Sequence, residues 1–143
     1  MSDNIVDRLS AVEAARLEET KRFNTERQIM EALAPEKWAE MKEAFRRECA
    51  NVTERSSRFT FECDEPTPSI FFINRIINGL AMRLVTLRFD PAVPRIVFSM
   101  EGRRPISGSV DFLVCGSTVV FANGTSGVIL PEFVLNTLMQ IMR

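Results

Sequence analysis

The sequence contains no histidine and no tyrosine. The absence of histidine excludes Ser-His-Asp and Cys-His catalysis, acid–base chemistry by imidazole, and metal sites that require a histidine ligand. Without tyrosine, Trp38 is the only aromatic residue whose side chain can donate a hydrogen bond. The eleven phenylalanines therefore indicate burial of apolar surface in a core or a cavity.

Cysteine is also scarce, with three residues at Cys49, Cys63 and Cys115. Their separations match no Cys-x-x-Cys metal or redox pattern, so we predict three buried free thiols. An acidic stretch at residues 62–65 lacks the glycine and the terminal glutamate of an EF-hand loop. We therefore predict that the chain holds no metal ion and no cofactor.

Charge and hydropathy argue against two further classes of protein. The net charge of -1 lacks the basic excess that is typical of proteins that bind nucleic acids or membrane surfaces. The longest apolar runs, such as residues 70–73, are far shorter than the ~20 residues that cross a membrane. Asp3 and Asp7 stand where a secretory signal would be basic. We expect a cytoplasmic protein that binds neither membranes nor nucleic acids.

The charged residues that are present concentrate at one end of the chain. Of 37 charged residues, 22 lie in residues 1–55, whereas nine of the eleven phenylalanines follow residue 55. This division predicts charged amphipathic helices first and an antiparallel sheet afterwards. A length of 143 residues is enough for a single domain with its own core.

The N-terminal residues carry an interrupted apolar stripe at helical spacing. Ile5, Leu9 and Val12 begin the stripe, which lapses at Arg16 and Glu19. It resumes in a second group of apolar residues, Phe23, Met30 and Leu33. This pattern fits either two helices broken near residue 24 or one long helix. A single helix over residues 5–33 would span about 45 Å, and we expect such a helix to protrude or to pair.

Pro35 is well suited to the first position of a new helix, where its missing N–H is not needed. The residues after it form the best amphipathic pattern in the chain: Trp38, Met41, Phe45, Cys49 and Val52. Ion pairs on the opposite side contribute only tenths of a kcal/mol each. The helix must therefore be stabilised by burying its apolar stripe, either on the sheet or on another copy of the chain.

Alternating apolar residues from residue 59 onward predict a strand that Pro66 and Pro68 end. Asn78-Gly79 is the dipeptide that best suits a two-residue type I′ hairpin. Further turns are expected at residues 90–94, 101–105 and 116–117, with a loop at 124–127. The strands between these turns are predicted at residues 70–77, 80–89, 95–100, 106–115 and 118–122. Such short connections require antiparallel pairing.

The predicted fold is α+β in one domain of residues 1–143. Charged N-terminal helices in residues 1–55 pack on an antiparallel meander of about six strands in residues 56–130. A C-terminal helix follows in residues 131–143. Pro131 opens this helix, and its expected apolar face is formed by Val134, Leu135, Leu138, Ile141 and Met142.

Three functional hypotheses from different classes fit this sequence. The first is a non-catalytic module whose helical part or sheet edge binds another protein or another copy of the chain. The alternative is a carrier that holds an apolar small molecule between a curved sheet and a helix. A small enzyme working through carboxylates or Cys115 is the third, and no motif supports it. The residues proposed for an interface, or for the main helix–sheet contact, are Trp38, Met41, Phe45, Leu9 and Val12.

Overall fold

The structure is a computed structural model that describes residues 2–101, 105–123 and 126–142, without the side chains of residues 2–4 and 126. Its elements follow one another as α1 (Ser2–Arg55), β1 (Phe61–Thr67), β2 (Ile70–Ile77), β3 (Leu80–Asp90), β4 (Arg95–Met100), β5 (Ile106–Cys115), β6 (Thr118–Asn123), β7 (Ser126–Gly127) and α2 (Leu130–Ile141). The predicted α+β fold is confirmed. The turn expected at 101–105 lies partly outside the described residues. So does the loop expected at 124–127, whose last two residues form β7 instead.

One continuous helix of 54 residues forms the N-terminal part of the chain. At 1.5 Å per residue it is about 80 Å long. Pro35 lies inside this helix, so the prediction that a new helix starts there was wrong. The ring of Pro35 is exposed, and its neighbour Ala34 is buried with Trp38 in the core. Tertiary packing therefore holds the helix through a residue that removes one of its hydrogen bonds.

The sheet is a simple antiparallel meander in which every strand pairs with the next one in sequence, in the order β1-β2-β3-β4-β5-β6-β7. Six strands have six to eleven residues, and β7 has two. Asn78 and Gly79 join β2 to β3 with φ angles of 52° and 78°. Positive φ at both positions confirms the predicted type I′ turn.

Pro66 does not end β1, as the sequence had suggested. It lies within the strand at an irregularity, where the pairing with β2 shifts between Asp64 and Thr67. Because β1 is an edge strand, a residue without an N–H is tolerated there.

The core lies between one face of the sheet and two helices. Helix α1 contacts β1 near one edge of the sheet and β5 and β6 near the other, so the sheet curves around the helix. The buried side chains of α1 are Ala34, Trp38, Met41, Phe45 and Cys49. The sheet contributes Phe61, Phe71, Ile73, Leu84, Val85, Leu87, Phe89, Ile96, Val110, Phe112, Val119 and Phe121. Burying each large side chain stabilises the fold by ~1.5–3 kcal/mol.

Helix α2 closes the core beside α1. It begins at Leu130, with Pro131 in its first turn as expected. Val134, Leu138 and Ile141 are buried, whereas Leu135 is 48% exposed, so its expected place on the apolar face was wrong. Phe133 meets the rings of Phe45 and Phe98 edge-on.

Replacing Pro35 with alanine should stabilise the protein. An alanine at this position would supply the N–H that can bond to the Glu31 carbonyl, and it would remove the ring from the helix interior. Removing proline also gives the unfolded chain more conformational freedom, which cancels part of this gain. We expect a net rise of ~1–2 kcal/mol in the free energy of unfolding. Urea unfolding followed by circular dichroism measures this change. The exposed neighbour variant Glu36→Ala should change stability by less than ~0.5 kcal/mol, and a less stable Pro35→Ala would contradict the account.

Candidate functional site

The N-terminal half of α1 extends beyond the sheet. All 24 residues from 5 to 28 are exposed, and burial begins only at Ile29. We call residues 5–28 the uncovered segment, which is about 36 Å long at 1.5 Å per residue. Its large apolar side chains are 49–65% exposed: Ile5, Val6, Leu9, Val12, Leu17 and Phe23.

Four of these side chains, Ile5, Leu9, Val12 and Phe23, lie on the same face of α1 that packs against the sheet further along. Ile5, Phe23 and Met41 are spaced 18 residues apart, which is about five turns of 3.6 residues. Leu9 and Phe45 are 36 residues apart, or about ten turns. One apolar stripe, interrupted at Arg16 and Glu19, therefore runs along the helix, and the sheet covers only its C-terminal half.

A groove of about 550 Å³ lies where the uncovered segment meets the sheet. Helix α1 forms one wall, and the β3–β4 turn and β5 form the other. The lining residues are Phe23, Glu26, Arg27, Met30, Glu31, Pro91, Ala92, Val93, Pro94, Phe112, Leu113 and Val114. Val93 and Leu113 are 59% and 41% exposed. The groove is thus mainly apolar, with charged residues of α1 at its rim.

Charge is distributed unevenly along the uncovered segment. Residues 5–19 contain four acidic and two basic residues, a net charge of -2. Residues 20–28 contain one acidic and three basic residues, a net charge of +2. The segment as a whole is neutral, and its two ends have opposite sign.

A second polar feature, beside the core, is the ion cluster around Glu65. Lys42 and Arg46 of α1 both donate hydrogen bonds to its carboxylate. Lys42 Nζ also donates to the Pro68 carbonyl at 3.2 Å and lies 5.2 Å from the centre of the Trp38 ring. The Lys42 hydrogen bond and the two positive charges hold the pKa of Glu65 below its usual range. These ion pairs fasten α1 to β1, because Lys42 and Arg46 belong to α1 and Glu65 belongs to β1.

The structure places the five residues proposed from sequence in two groups. Trp38, Met41 and Phe45 are at most 3% exposed and form the contact between α1 and the sheet. Leu9 and Val12 are 60% and 49% exposed and belong to the uncovered segment. The first group is therefore occupied within the chain, and only the second is accessible to another molecule.

Sequence reasoning missed the sheet side of the groove. Val93 stands in a turn between Pro91 and Pro94, where polar residues are usual, and Leu113 is an exposed apolar residue of β5. The one available signal was Val93 itself, an apolar residue in a turn bounded by two prolines. Because this turn and Phe23 are far apart in sequence, no local pattern could indicate that they line the same groove.

The three cysteines differ in burial, contrary to the prediction from sequence. All three are free, with Cys49 buried and Cys63 partly buried, but Cys115 is exposed at the end of β5. The prediction of three buried thiols was therefore wrong for Cys115. The hydrogen bond with Cys63 and burial raise the pKa of the Cys49 thiol, which stays protonated at neutral pH.

The described residues hold neither a candidate metal centre nor a helix that could span a membrane. No group of three or more histidine, cysteine or acidic side chains there is arranged to hold a metal ion. Neither helix, over its described residues, has an apolar stretch of the length needed to cross a membrane.

Comparisons with known proteins found no matching family, no matching curated protein and no matching solved structure.

The Glu65 cluster generates a prediction about stability and pH. Glu65→Gln keeps the shape but removes the charge that faces the buried Lys42, so we expect a loss of ~1–3 kcal/mol at pH 7. Because the pKa of Glu65 is lowered in the folded protein, this stabilisation is present above the ordinary value of 4.5 and is lost as pH falls below it. Urea unfolding at several pH values tests this.

The control is Glu62→Gln, which removes an exposed carboxylate from the same strand. It should leave stability within ~0.5 kcal/mol of the unsubstituted chain. Equal effects of the two substitutions at pH 7, or a Glu65→Gln deficit that does not shrink in acid, would show that the cluster does not fasten α1 to β1.

Proposed function

We propose that this chain is a self-associating protein-interaction module, in which copies bind one another through the uncovered segment of α1. The observation that carries the proposal is that the apolar stripe of α1, interrupted only at Arg16 and Glu19, extends well beyond the sheet. Its C-terminal half is covered by the chain's own sheet, and its N-terminal half is exposed. The same physical requirement, removal of apolar side chains from water, applies to both halves.

The amount of exposed apolar surface supports pairing between copies. A fully exposed side chain of this size presents on the order of 100 Å² of apolar area. Four side chains of the stripe, with Val93 and Leu113 of the adjoining groove, are 41–65% exposed, so two copies together offer roughly 700 Å². Since about 60% of interface area is apolar, pairing would bury roughly 1,200 Å² in total. This area is at the lower end of the range for specific interfaces, ~1,200–2,000 Å².

The length of the uncovered segment is a second argument for an occupant. Single helices in water are marginally stable, and most helices are held by packing of an amphipathic face. Within residues 5–28, the side-chain bonds of Thr20 and Thr25 go to the carbonyls of Arg16 and Lys21 in the preceding turn. Such local bonds add little to helix stability. Pairing along the stripe would supply the missing packing.

A cytoplasmic location belongs to this proposal. The free thiols at residues 49, 63 and 115 are compatible with a reducing compartment, where cysteines are kept unpaired.

Substitution of Leu9 by glutamate should abolish self-association without unfolding the domain. Leu9 is 60% exposed and lies outside the core, so its loss affects only the stripe. We expect the unsubstituted chain to have a native mass that is a multiple of 16.3 kDa. Leu9→Glu should weaken association at least tenfold, because it places a charge in an apolar contact. Native mass spectrometry and light scattering over a concentration series measure both.

The matched control is Ala14→Glu. Ala14 is nine residues from both Ile5 and Phe23, which is about two and a half turns and places it on the opposite side of the helix. This variant should associate like the unsubstituted chain. An unsubstituted chain that stays monomeric up to the highest concentration at which it is soluble overturns the proposed function, as does equal weakening by the two substitutions.

The second candidate function is the binding of an apolar small molecule in the groove. Its volume of about 550 Å³ falls within the ~300–1,000 Å³ that is usual for ligand sites. The same native mass spectra distinguish this candidate, because a bound molecule would add a few hundred daltons per chain. A native mass without such an addition would remove its support.

A further inference from the structure

We infer that two copies pair antiparallel, with the N-terminal end of each uncovered segment seated in the groove of the other copy. This inference rests on the proposed function and specifies its geometry. The partner is a second copy of this chain, and the seat is formed by Phe23, Val93 and Leu113.

The charge distribution selects the antiparallel arrangement. In a parallel pair with the chains in register, residues 5–19 would lie along residues 5–19 of the other copy, with -2 facing -2. In an antiparallel pair the acidic part of each segment approaches the basic part of the other, at residues 20–28. Complementary charges fix orientation and register in helix pairs.

Two charged residues within the stripe strengthen this choice. Arg16 and Glu19 lie where the apolar pattern lapses, so each would face its own copy in a parallel pair in register. An antiparallel register that places Ile5 opposite Phe23 instead places Arg16 opposite Val12 and Glu19 opposite Leu9. Like charges are then no longer opposed across the contact.

The same register also brings opposite charges together at one edge of the stripe. Arg8 and Glu19 are 11 residues apart, about three turns, and therefore lie on the same side of the helix. With Ile5 opposite Phe23, Arg8 of each copy lies within one residue of Glu19 of the other. Because the pair is symmetric, this contact occurs twice.

The groove provides a contact surface for the N-terminal end of the partner's uncovered segment. Phe23 and Met30 are groove residues of α1 and also belong to its apolar stripe. A second helix that follows the stripe toward the sheet therefore enters the groove, where Val93 and Leu113 are exposed on the other wall. Ile5 opposite Phe23 places the apolar end of one segment at the outer end of this groove.

A charge-reversal pair tests the orientation. Glu19→Arg places an arginine beside Arg8 of the other copy, so the dissociation constant measured by analytical ultracentrifugation should rise at least tenfold. The double variant Arg8→Glu with Glu19→Arg restores opposite charges and should return within threefold of the unsubstituted chain. In a parallel pair in register, Glu19→Arg exchanges one like-charge contact for another, and adding Arg8→Glu gives no recovery.

Cross-linking tests the seat. Two proteins carrying Cys115→Ser, one with Ile5→Cys and the other with Val93→Cys, are mixed and treated with a short bis-maleimide. We expect the mixed product to exceed either self-linked product. A dimeric protein that gives only Ile5→Cys self-linking, or no rescue by the double variant, overturns the antiparallel seat while the proposed function stands. A monomeric unsubstituted chain overturns both.

Discussion

The structure depends on the burial of one face of α1 by a sheet that curves around it. Trp38, Met41 and Phe45 are the centre of this contact, and aromatic rings from the sheet and α2 surround them. Without α1 the inner face of the sheet would be exposed over most of its strands. The cluster of Lys42, Arg46 and Glu65 fastens the same helix at the edge of this core. The apolar contact supplies the stability, and the ion cluster fixes where the helix lies.

The sheet covers only about half of the helix that organises it. The apolar stripe continues on the same face through residues 5–28, where the described part of the chain provides no covering. The proposed self-association follows from this mismatch between the length of the stripe and the width of the sheet. In that proposal the two halves of α1 have different roles: the C-terminal half holds the domain together, and the N-terminal half binds a second copy.

Local signals predicted the parts of the fold that local physics controls. The Asn78-Gly79 turn needs positive φ at both positions, and alternating side chains identify strands, so the meander could be derived from sequence. Pro35 and Pro66 were misjudged because packing on the core and an edge-strand irregularity outweigh the local preference of proline. At both prolines, tertiary contacts rather than local preference determine the backbone conformation.

The candidate site was predictable only in part, for a related reason. Leu9 and Val12 could be identified because the helical period is visible within a few turns. Which half of the stripe the sheet covers depends on where α1 crosses the sheet, and this is a property of the folded chain. The groove joins Phe23 to Val93 and Leu113, which are far apart in sequence. No local pattern indicates such a contact.

Amide hydrogen exchange at two protein concentrations tests the central claim most directly, because it reports the helix of the uncovered segment itself. Self-association predicts that exchange in residues 5–28 becomes slower as the concentration rises, while exchange in the core strands stays the same. Exchange in residues 5–28 that is equally fast at both concentrations would contradict the claim that a second copy covers this stripe.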